Sequence, residues 1–177
     1  MQFIFDNDTN SLLPFLLQAK HYILNELPAG NYDKEGILDR CRFIITELCT
    51  NAIKHSGEKQ SEFNIYIENS HLIIERRDKG KQLHPIVNNQ KTPLPLPDSM
   101  DLVTLTEDDI NRLNMKRIDG YSVRFYVEEI TATNSSKQQT VNEHFGLIII
   151  CQSSDKFTYS FHAPDSINVF TADIELA

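Results

Sequence analysis

The sequence predicts an α+β domain: a two-layer α/β sandwich whose mixed, mostly antiparallel sheet is covered on one face by helices. Two observations lead to this prediction. Two apolar stripes with helical spacing lie in the first third of the chain, and short β-prone runs separated by turn residues follow them. The chain has 177 residues, of which 40% are apolar, and this is enough for one domain with a core of its own.

The first predicted elements are a short strand within residues 1–5 and a helix after it. Apolar residues at positions 12, 16, 19, 23 and 27 share one helix face, and residues 7–11 offer several N-caps. Pro14 is expected in the first turn of this helix, where a missing N–H is tolerated. Residues 28–31 contain the proline and the glycine that end it.

A second helix is predicted over residues 34–56. Its buried face is formed by residues that repeat the same spacing: Ile37, Cys41, Ile44, Leu48 and Ala52. Gly57 can adopt the left-handed conformation that ends a helix. Two β-prone runs at 63–68 and 71–76 then flank a pair of turn residues at 69–70, which predicts a tight hairpin.

The remainder of the chain predicts less regular structure. Residues 78–114 are polar and contain a proline-rich run, so an irregular segment is expected there, whereas 121–127 predict a strand and 131–142 a mobile segment. The apolar run at 146–151 fits either a buried strand or the start of a buried helix. Polar and apolar residues alternate on both sides of a turn at 163–166, which predicts a second hairpin.

Composition excludes several classes of function. The formal net charge is −8, from 17 Lys and Arg against 25 Asp and Glu, so the chain lacks the basic character of a general nucleic-acid binder. No apolar run approaches the ~20 residues of a membrane helix, and residues 1–6 carry neither the basic region nor the cleavage site of a signal peptide. Three cysteines without a C-x-x-C pair predict buried thiols rather than a disulfide framework. We therefore expect a cytoplasmic protein with no nucleic-acid or membrane partner.

Three polar residues on the second helix are candidates for chemistry. Glu47, Asn51 and His55 are spaced i, i+4 and i+8, so they share one stripe about 100° around the helix from its core face. A carboxylate and an amide at that edge could hold hydrated Mg²⁺, which takes a few oxygen ligands together with water and phosphate. The carboxylate could equally orient an attacking hydroxyl or water. The alternative is a solvated polar edge of the helix, the commoner meaning of an isolated Glu-x-x-x-Asn pattern.

The segment from Glu47 to Gly57, which reads E-x-x-x-N-A-x-x-H-S-G, resembles the N-box of the GHKL (histidine kinase/gyrase-like) ATPase superfamily. That superfamily includes histidine kinases, gyrase-type topoisomerases and anti-sigma-factor serine kinases, and the match is closest to the last of these. Two predicted strands then lead to Asp78-Lys79-Gly80, 27 positions after Asn51, which is similar to the family's separation before its D-x-G-x-G box. The resemblance covers about residues 1–83 and 144–177.

The resemblance implies a histidine-kinase-like ATPase fold that binds ATP with Mg²⁺. It implies that Asn51 is the ligand of the Mg²⁺ that bridges the phosphates, and that Glu47 is the catalytic general base. It further implies that Asp78 accepts a hydrogen bond from the adenine amino group, with Gly80 allowing the base to approach the backbone. The other positions that match nucleotide-binding residues of the family are His55, Gly146 and Leu147.

This sequence departs from the family pattern at both glycine-rich boxes. Gln82 stands where D-x-G-x-G has its second glycine. The later box, which in the family cradles phosphates at a helix N-terminus, keeps only Gly146, which opens what the resemblance makes a helix through about residue 154. The side chains of Gln82 and of His144 or Phe145 could crowd the phosphates.

The segment between the two boxes is much longer than in a compact anti-sigma kinase. It predicts a lid insertion at about residues 84–143 within a single ATPase-like domain of residues 1–177. Its leucines at 94, 96, 102 and 105 could pack as a flap or present a partner-binding edge. Before it, Arg76 and Arg77 are expected to end an exposed strand, from which either could reach a phosphate.

Two functional hypotheses follow. The first is an ATP-binding regulatory protein resembling anti-sigma-factor serine/threonine kinases, which binds Mg-ATP and a protein partner such as a sigma factor or an anti-sigma antagonist-like protein. The second is a degenerate, non-catalytic interaction module of the same fold that has lost the nucleotide. Whether the chain is a kinase or ATPase stays open between them, and an exposed first strand makes a homodimer possible.

Overall fold

The computed structural model describes residues 1–30, 32–87, 90–92, 94–108, 110–130 and 144–176, without the side chains of residues 87 and 90. The helices are α1 (Thr9–Glu26), α2 (Lys34–Asn51), a π-helical turn (Ala52–Ser56) and α3 (Phe145–Ser153). The strands are β1 (Gln2–Asp6), β2 (Gln60–Glu68), β3 (His71–Asp78), β4 (Ile86–Val87), β5 (Gln90–Lys91), β6 (Leu102–Glu107), β7 (Asn111–Arg117), β8 (Ser122–Glu129), β9 (Lys156–His162) and β10 (Ile167–Glu175).

Eight of the strands form one sheet, so the predicted α+β class is confirmed. The sheet was expected to be mixed, but all pairings among the described residues are antiparallel. The strand order is β1-β2-β3-β10-β9-β8-β7-β6, and β4 and β5 pair separately. The C-terminal hairpin β9–β10 therefore lies in the middle of the sheet, where β10 pairs with β3 on one side and β9 pairs with β8 on the other. The first strand lies at a sheet edge, as expected. No helix in the described ranges is both long and apolar enough to cross a membrane.

Helix α1 begins earlier than the apolar stripe predicts. The Asp8 carboxylate accepts hydrogen bonds from the N–H groups of Asn10 and Ser11, so the helix starts at Thr9. Pro14 is consequently the sixth residue of the helix, and its expected place in the first turn is wrong. The predicted face is confirmed in its second half, where Ala19, Ile23 and Leu27 are buried, whereas Leu12 and Leu16 are only partly buried and Phe15 is buried in their place.

Helix α2 buries the predicted face, but its last turn is not α-helical. All five predicted core residues, Ile37 to Ala52 at helical spacing, are buried. From Ala52 the chain forms a π-helical turn, in which the Ser56 hydroxyl donates to the Ala52 carbonyl. Gly57 then ends the element in the left-handed region, at φ 75°, as its position predicts.

The core joins the helices to alternating residues of the strands. Phe15 of α1 lies 4.8 Å, centroid to centroid, from the ring of Phe63 in β2, and 5.1 Å from that of Phe5 in β1. Ring packing of this kind stabilises beyond the area it buries. The two hairpins form as predicted, and the first turn has positive φ at both Asn69 and Ser70, as a tight two-residue hairpin turn requires.

The expectation of an irregular segment over residues 78–114 is wrong, because β6 and β7 lie within it and extend the sheet. A short turn allows them to pair: the Asp108 carboxylate accepts from the N–H groups of Ile110 and Asn111. Of the leucines that could pack as a flap or present an edge, Leu94 and Leu96 are buried in the core and Leu102 is exposed. Residues 131–142, for which a mobile segment was expected, lie outside the described residues.

Two other expectations are resolved. The predicted strand at 121–127 is confirmed as β8, and the ambiguous apolar run is the helix α3. The run is apolar on all sides because α3 packs against both α2 and the sheet.

Leu96→Ala should destabilise the protein by about 2–5 kcal/mol, because it removes a side chain that is only 3% exposed within the core. Leu102→Ala is the matched control: this side chain is 58% exposed, so the substitution should change the free energy of unfolding by no more than about 0.5 kcal/mol. Urea denaturation of both variants measures the difference. Equal effects of the two substitutions would show that the proline-rich run is not part of the core.

Candidate functional site

The start of α3 lies against two polar side chains of α2. Glu47 and Asn51 are both half-buried, one helical turn apart. A Cβ atom on Gly146 would lie 2.6 Å from Glu47 Oε2 and 3.7 Å from Asn51 Oδ1. A residue larger than glycine at position 146 would therefore displace the Glu47 carboxylate. Glu47 Oε2 and Asn51 Oδ1 thus both lie close to the start of α3.

The first turn of α3 gives this point a favourable electrostatic environment for an anion. The turn contains no acidic residue, and His144 at the N-cap position makes no side-chain capping bond to it. The N–H of Leu147 donates to the His144 carbonyl. The N–H groups of Phe145 and Gly146 precede it, and at the start of a helix such groups have no acceptor within the helix itself. The positive end of the helix dipole thus lies beside a carboxylate and an amide oxygen.

Burial changes the acidity of Glu47. Desolvation raises the pKa of its carboxyl group above the usual value, and the nearby Lys54 partly opposes this shift. A carboxylate with a raised pKa accepts a proton more readily at neutral pH than a solvated one does. The environment of Glu47 therefore suits a proton acceptor.

The structure places His55 differently from the other two residues of its predicted stripe. His55 lies on the π-helical turn and is exposed, whereas Glu47 and Asn51 are half-buried. The wider π turn interrupts the 3.6-residue period on which the shared stripe depends. The structure thus brings Glu47 and Asn51 together with Gly146, and leaves His55 at the solvent edge.

Asp78, the last residue of β3, has a carboxylate that is only 1% exposed. Its Oδ2 accepts from Arg76 Nη2 at 2.7 Å. Its Oδ1 accepts from the Gly80 N–H at 2.9 Å and from Asn168 Nδ2 at 3.0 Å. Asp78 is therefore more than the cap of a surface turn, although one of its bonds is the local turn bond to Gly80.

Arg76 is buried, so the expectation that it ends an exposed strand is wrong. Its Nη1 donates to the Leu48 carbonyl of α2 at 2.9 Å, and its guanidinium carbon lies 4.3 Å from the centroid of the Phe170 ring. Burial lowers the pKa of Arg76, and the adjacent Asp78 opposes that shift. The alternation along β3 could have predicted that Arg76 is buried, because positions 72, 74, 76 and 78 face the same side of the sheet. Arg77, which faces the other way, is exposed.

The loop after β3 docks on the end of the π-helical turn. A Cβ atom on Gly80 would collide with the Ser56 carbonyl oxygen, and the Lys81 N–H donates to the same oxygen at 3.1 Å. Only glycine allows this approach of two backbones. The glycine of the Asp78-Lys79-Gly80 tripeptide is therefore required by the contact between the loop and the helix.

Sequence reasoning missed two buried residues that hold this loop. Asn168 of β10 lies opposite Asp78 in the sheet register and also donates to the Gly80 carbonyl at 3.0 Å. The Tyr159 hydroxyl donates to Asn168 Oδ1 at 2.8 Å and accepts from the Leu83 N–H at 3.1 Å. Their only signal in the sequence is the alternation of polar and apolar residues in the C-terminal hairpin. That alternation does not show which residue each of them contacts.

The two groups of residues contact α2 and its π-helical extension at different places, which we call the first and the second level of the site. Glu47 and Asn51 at the first level face the start of α3, whereas Gly80 at the second level contacts the carbonyl of Ser56, five residues after Asn51. The N-terminus of α3 suits an anionic group at the first level. At the second level the Asp78 carboxylate is enclosed by donors of the protein itself.

A separate cavity of about 250 Å³ lies at the other end of α3. Residues of β8, the last turn of α3 and the start of β9 line it, among them Phe125, Cys151, Asp155 and Lys156. Burial raises the pKa of the Cys151 thiol to about 12, so this thiol is a poor nucleophile at neutral pH. The cavity is distant in the chain from Glu47 and Asp78 and contains none of the predicted site residues.

No protein-family model and no curated protein sequence matches this chain.

Glu47→Gln should stabilise the fold at pH 7. The folded state raises the pKa of Glu47 above its ordinary value of 4.5, so the ionised carboxylate costs stability, and the neutral amide removes that cost. The gain should shrink as the pH falls through the raised pKa and vanish below about 4.5, where folded and unfolded chains are both protonated. Melting temperatures between pH 4 and pH 8 measure it. Glu58→Gln, at an exposed position, is the control; a gain of equal size for both variants would contradict the assigned environment of Glu47.

Proposed function

We propose that this chain is an ATP-binding regulatory protein of the GHKL type, a two-layer α/β sandwich that resembles anti-sigma-factor serine/threonine kinases. The observation that carries the proposal is the position of Gly146. It brings the N-terminus of α3 against the Glu47 carboxylate and the Asn51 amide, which is where the resemblance implies the metal-bound phosphates. Two segments remote in the sequence, the end of α2 and the start of α3, are required to form this arrangement, and both resemble boxes of the family.

The donor set fits Mg²⁺. The ion is usually held by one or two protein oxygen ligands together with water and substrate phosphates, not by a cage of side chains. Asn51 Oδ1 lies beside the start of α3 and would be the protein ligand of the ion, with the Glu47 carboxylate next to it left free to act as a base. The described residues contain no cluster of three or more His, Cys, Asp or Glu that suits a different metal centre. Bound Mg²⁺ would neutralise phosphate charge, while the N–H groups of Phe145 and Gly146 would donate to phosphate oxygens.

The second level of the site supports recognition of adenine. The Asp78 carboxylate lies at the end of β3, and the half-buried Ile53 and Leu83 are the apolar residues that would contact a purine there. A carboxylate has about four acceptor positions, and protein donors occupy three of those of Asp78. The remaining position on Oδ2 would accept the adenine 6-amino group.

Glu47 would be the general base of phosphoryl transfer to a serine or threonine of a protein partner. The partner's hydroxyl oxygen would form a bond to the γ-phosphorus as the bond to the β,γ-bridging oxygen breaks, and the hydroxyl proton would pass to Glu47. ADP would leave with the electron pair of the broken bond. The raised pKa of Glu47 supports this role. A sigma factor or an anti-sigma antagonist-like protein is the partner class proposed, and the edge strand β1 could form a homodimer.

One observation favours the second candidate, a non-catalytic interaction module. The Asp78 side chain is 1% exposed and makes three hydrogen bonds within the protein, so it has a structural role without any nucleotide. A titration of the full chain with ATP and Mg²⁺ decides between the two candidates. A ligand at 100 times its Kd should stabilise the fold by about 2.7 kcal/mol, and no shift of the melting temperature at millimolar Mg-ATP would favour the interaction module.

Asn51→Ala should abolish the Mg²⁺-dependent part of the ATP affinity while the fold is retained, because the amide is a metal ligand off the buried face of α2. We expect at least a tenfold increase in Kd, measured by calorimetry with and without Mg²⁺. Asn25→Ala, at an exposed position of α1, is the control. Unchanged Mg-ATP affinity in the Asn51 variant would show that Asn51 does not hold the metal.

Glu47→Gln should keep nucleotide binding and lose turnover, because the amide has the shape of the carboxylate but cannot accept the proton. We expect at least a hundredfold loss of phosphate release or transfer, with Glu58→Gln again as the control. Full activity of the Glu47 variant would exclude the role of general base. A parent chain that binds ATP without turnover would be a nucleotide-dependent binding protein and not a kinase.

A further inference from the structure

The cavity at the end of α3 lies where the sheet loses one of its strand pairings. β8 pairs with β9 from Ser122 to Phe125, and the last of these pairs joins Phe125 to Phe157. β8 continues to Glu129, whereas the residues that precede β9 belong to α3, which ends at Ser153, and to the turn after it. Among the described residues, the second half of β8 thus has a strand on its β7 side only.

The backbone of this half of β8 offers hydrogen-bonding groups to the cavity. Successive residues of an antiparallel strand direct their N–H and C=O groups to alternate neighbours. The Ile130 N–H donates to the Ile110 carbonyl beside β7, so Val127 and Glu129 direct their groups away from β7. Both residues line the cavity, and no other backbone group that the structure describes is bonded to them. An extended chain that enters the cavity therefore meets an unpaired strand edge.

The cavity is closed at one end, and that end carries positive charge. β9 begins at Lys156, so a chain lying along β8 from Glu129 would have to stop there. Arg124 reaches across the same end, where its Nη2 lies 3.4 Å from the Asp155 carbonyl oxygen. Within the described ranges, neither Arg124 nor Lys156 forms an ion pair. Both cations are therefore available to a carboxylate.

The acidic residues that line the cavity do not cancel this charge. The Asp155 carboxylate already forms an ion pair with Arg40 at 2.7 Å and accepts from the Glu175 N–H. Glu129 lies at the open end, five residues after Arg124 and thus about 17 Å away along an extended strand. A carboxylate at the closed end therefore meets net positive charge, whereas an ammonium group there would be repelled.

The size and the walls of the cavity limit what can enter it. Its volume of about 250 Å³ is below the roughly 300–1,000 Å³ of pockets that enclose drug-sized ligands. The buried Phe125 and Phe157 line it together with Cys151, and the Cys151 thiol is uncharged because burial raises its pKa to about 12. The cavity therefore suits the end of a peptide chain whose last side chain is small and apolar.

We propose that this cavity binds the carboxy terminus of an extended polypeptide. The last residues of that chain lie antiparallel to β8 and pair with the backbone of Val127 and Glu129, which is β-strand addition. Arg124 and Lys156 hold the terminal carboxylate. The direction follows from the charge, because a chain parallel to β8 would bring its ammonium group to the cationic end. The cavity contains no residue of the proposed nucleotide site, so the inference is independent of ATP binding.

The test measures binding of the acetylated tetrapeptide Thr-Ser-Thr-Val to the full chain by calorimetry, once with a free terminal carboxylate and once with a carboxamide. The carboxylate form should bind at least tenfold more tightly, because the amide loses the charged hydrogen bonds. Arg124→Gln should remove most of this difference. Lys116→Gln is the matched control: Lys116 is exposed and lies opposite Arg124 in the register of β7 and β8, but does not line the cavity.

Glu129→Pro tests the strand pairing, because it removes an N–H that faces the cavity and leaves the bonds between β8 and β7 in place. It should weaken both forms of the peptide about fivefold or more, whereas Glu129→Gln, which changes only the charge, should bind them as the parent does. Should Glu129→Pro not fold, Arg124→Gln decides the matter.

Three results would overturn the inference. The first is a parent chain that binds neither peptide at millimolar concentration, or binds both equally. The second is an equal loss of the carboxylate preference in Arg124→Gln and Lys116→Gln, which would show a general effect of net charge. The third is a folded Glu129→Pro that binds both peptides as tightly as the parent.

Discussion

The buried ion pair between Arg76 and Asp78 is the interaction on which the rest of the site depends. It joins the end of β3 to α2 through the Leu48 carbonyl, and it holds the loop after β3 through the bond from Asp78 to Gly80. A buried charge pair is costly to desolvate, and a well-packed apolar pair of similar volume is often as stable. Removal of one partner destabilises the protein much more, because it leaves the other charge buried without a partner. The pair therefore contributes a defined geometry more than it contributes stability.

Close approach of backbones is the second constraint, and two glycines allow it. At Gly80 the loop after β3 contacts the Ser56 carbonyl, and at Gly146 the start of α3 contacts Glu47. Each contact joins α2 or its π-helical turn to a segment remote in the sequence. The π-helical turn between them follows the last α-helical residue, Asn51, so the change of helix type separates the two levels of the site. Such turns are frequent at functional sites, where they shift the direction of side chains.

The parts of the fold that follow local rules could be predicted from the sequence. The apolar stripe of α2, the left-handed Gly57 and the two hairpins require only helix and strand periods and turn chemistry, and all were predicted. The strand β7 could not be found in the same way, because only two of its seven residues are apolar. The β-prone sequence of β6 has no partner without β7, and the turn at Asp108 that joins them can be recognised only when the pairing is known. Pro14 was misplaced because the cap Asp8 precedes the apolar stripe.

Within the candidate site, helical spacing on α2 was enough to predict that Glu47 and Asn51 lie together. The hydrogen-bond partners of Asp78 could not be predicted in this way, because they depend on the register of the strands. Arg76 could have been located by alternation from Ile74, whereas Asn168 is 90 positions away and meets Asp78 only because β10 pairs with β3 in one register. A shift of one residue would turn Asn168 to the other face of the sheet. The hydrogen-bond network around Asp78 is thus a property of the strand pairing, and no single segment contains it.

The two functional candidates differ in what they require of Glu47. An interaction module needs the Arg76–Asp78 pair and the Gly80 contact, because both hold the loop after β3 to the helix whether or not a nucleotide binds. It does not need a half-buried carboxylate whose ionisation is opposed by desolvation, facing a helix start with no acidic residue. An apolar residue at 47 would pack there without that cost. The interaction of the carboxylate with the N-terminus of α3 offsets part of that cost. Because an interaction module has no use for a proton acceptor at this position, the half-buried Glu47 is the feature on which our preference for the ATP-binding proposal rests.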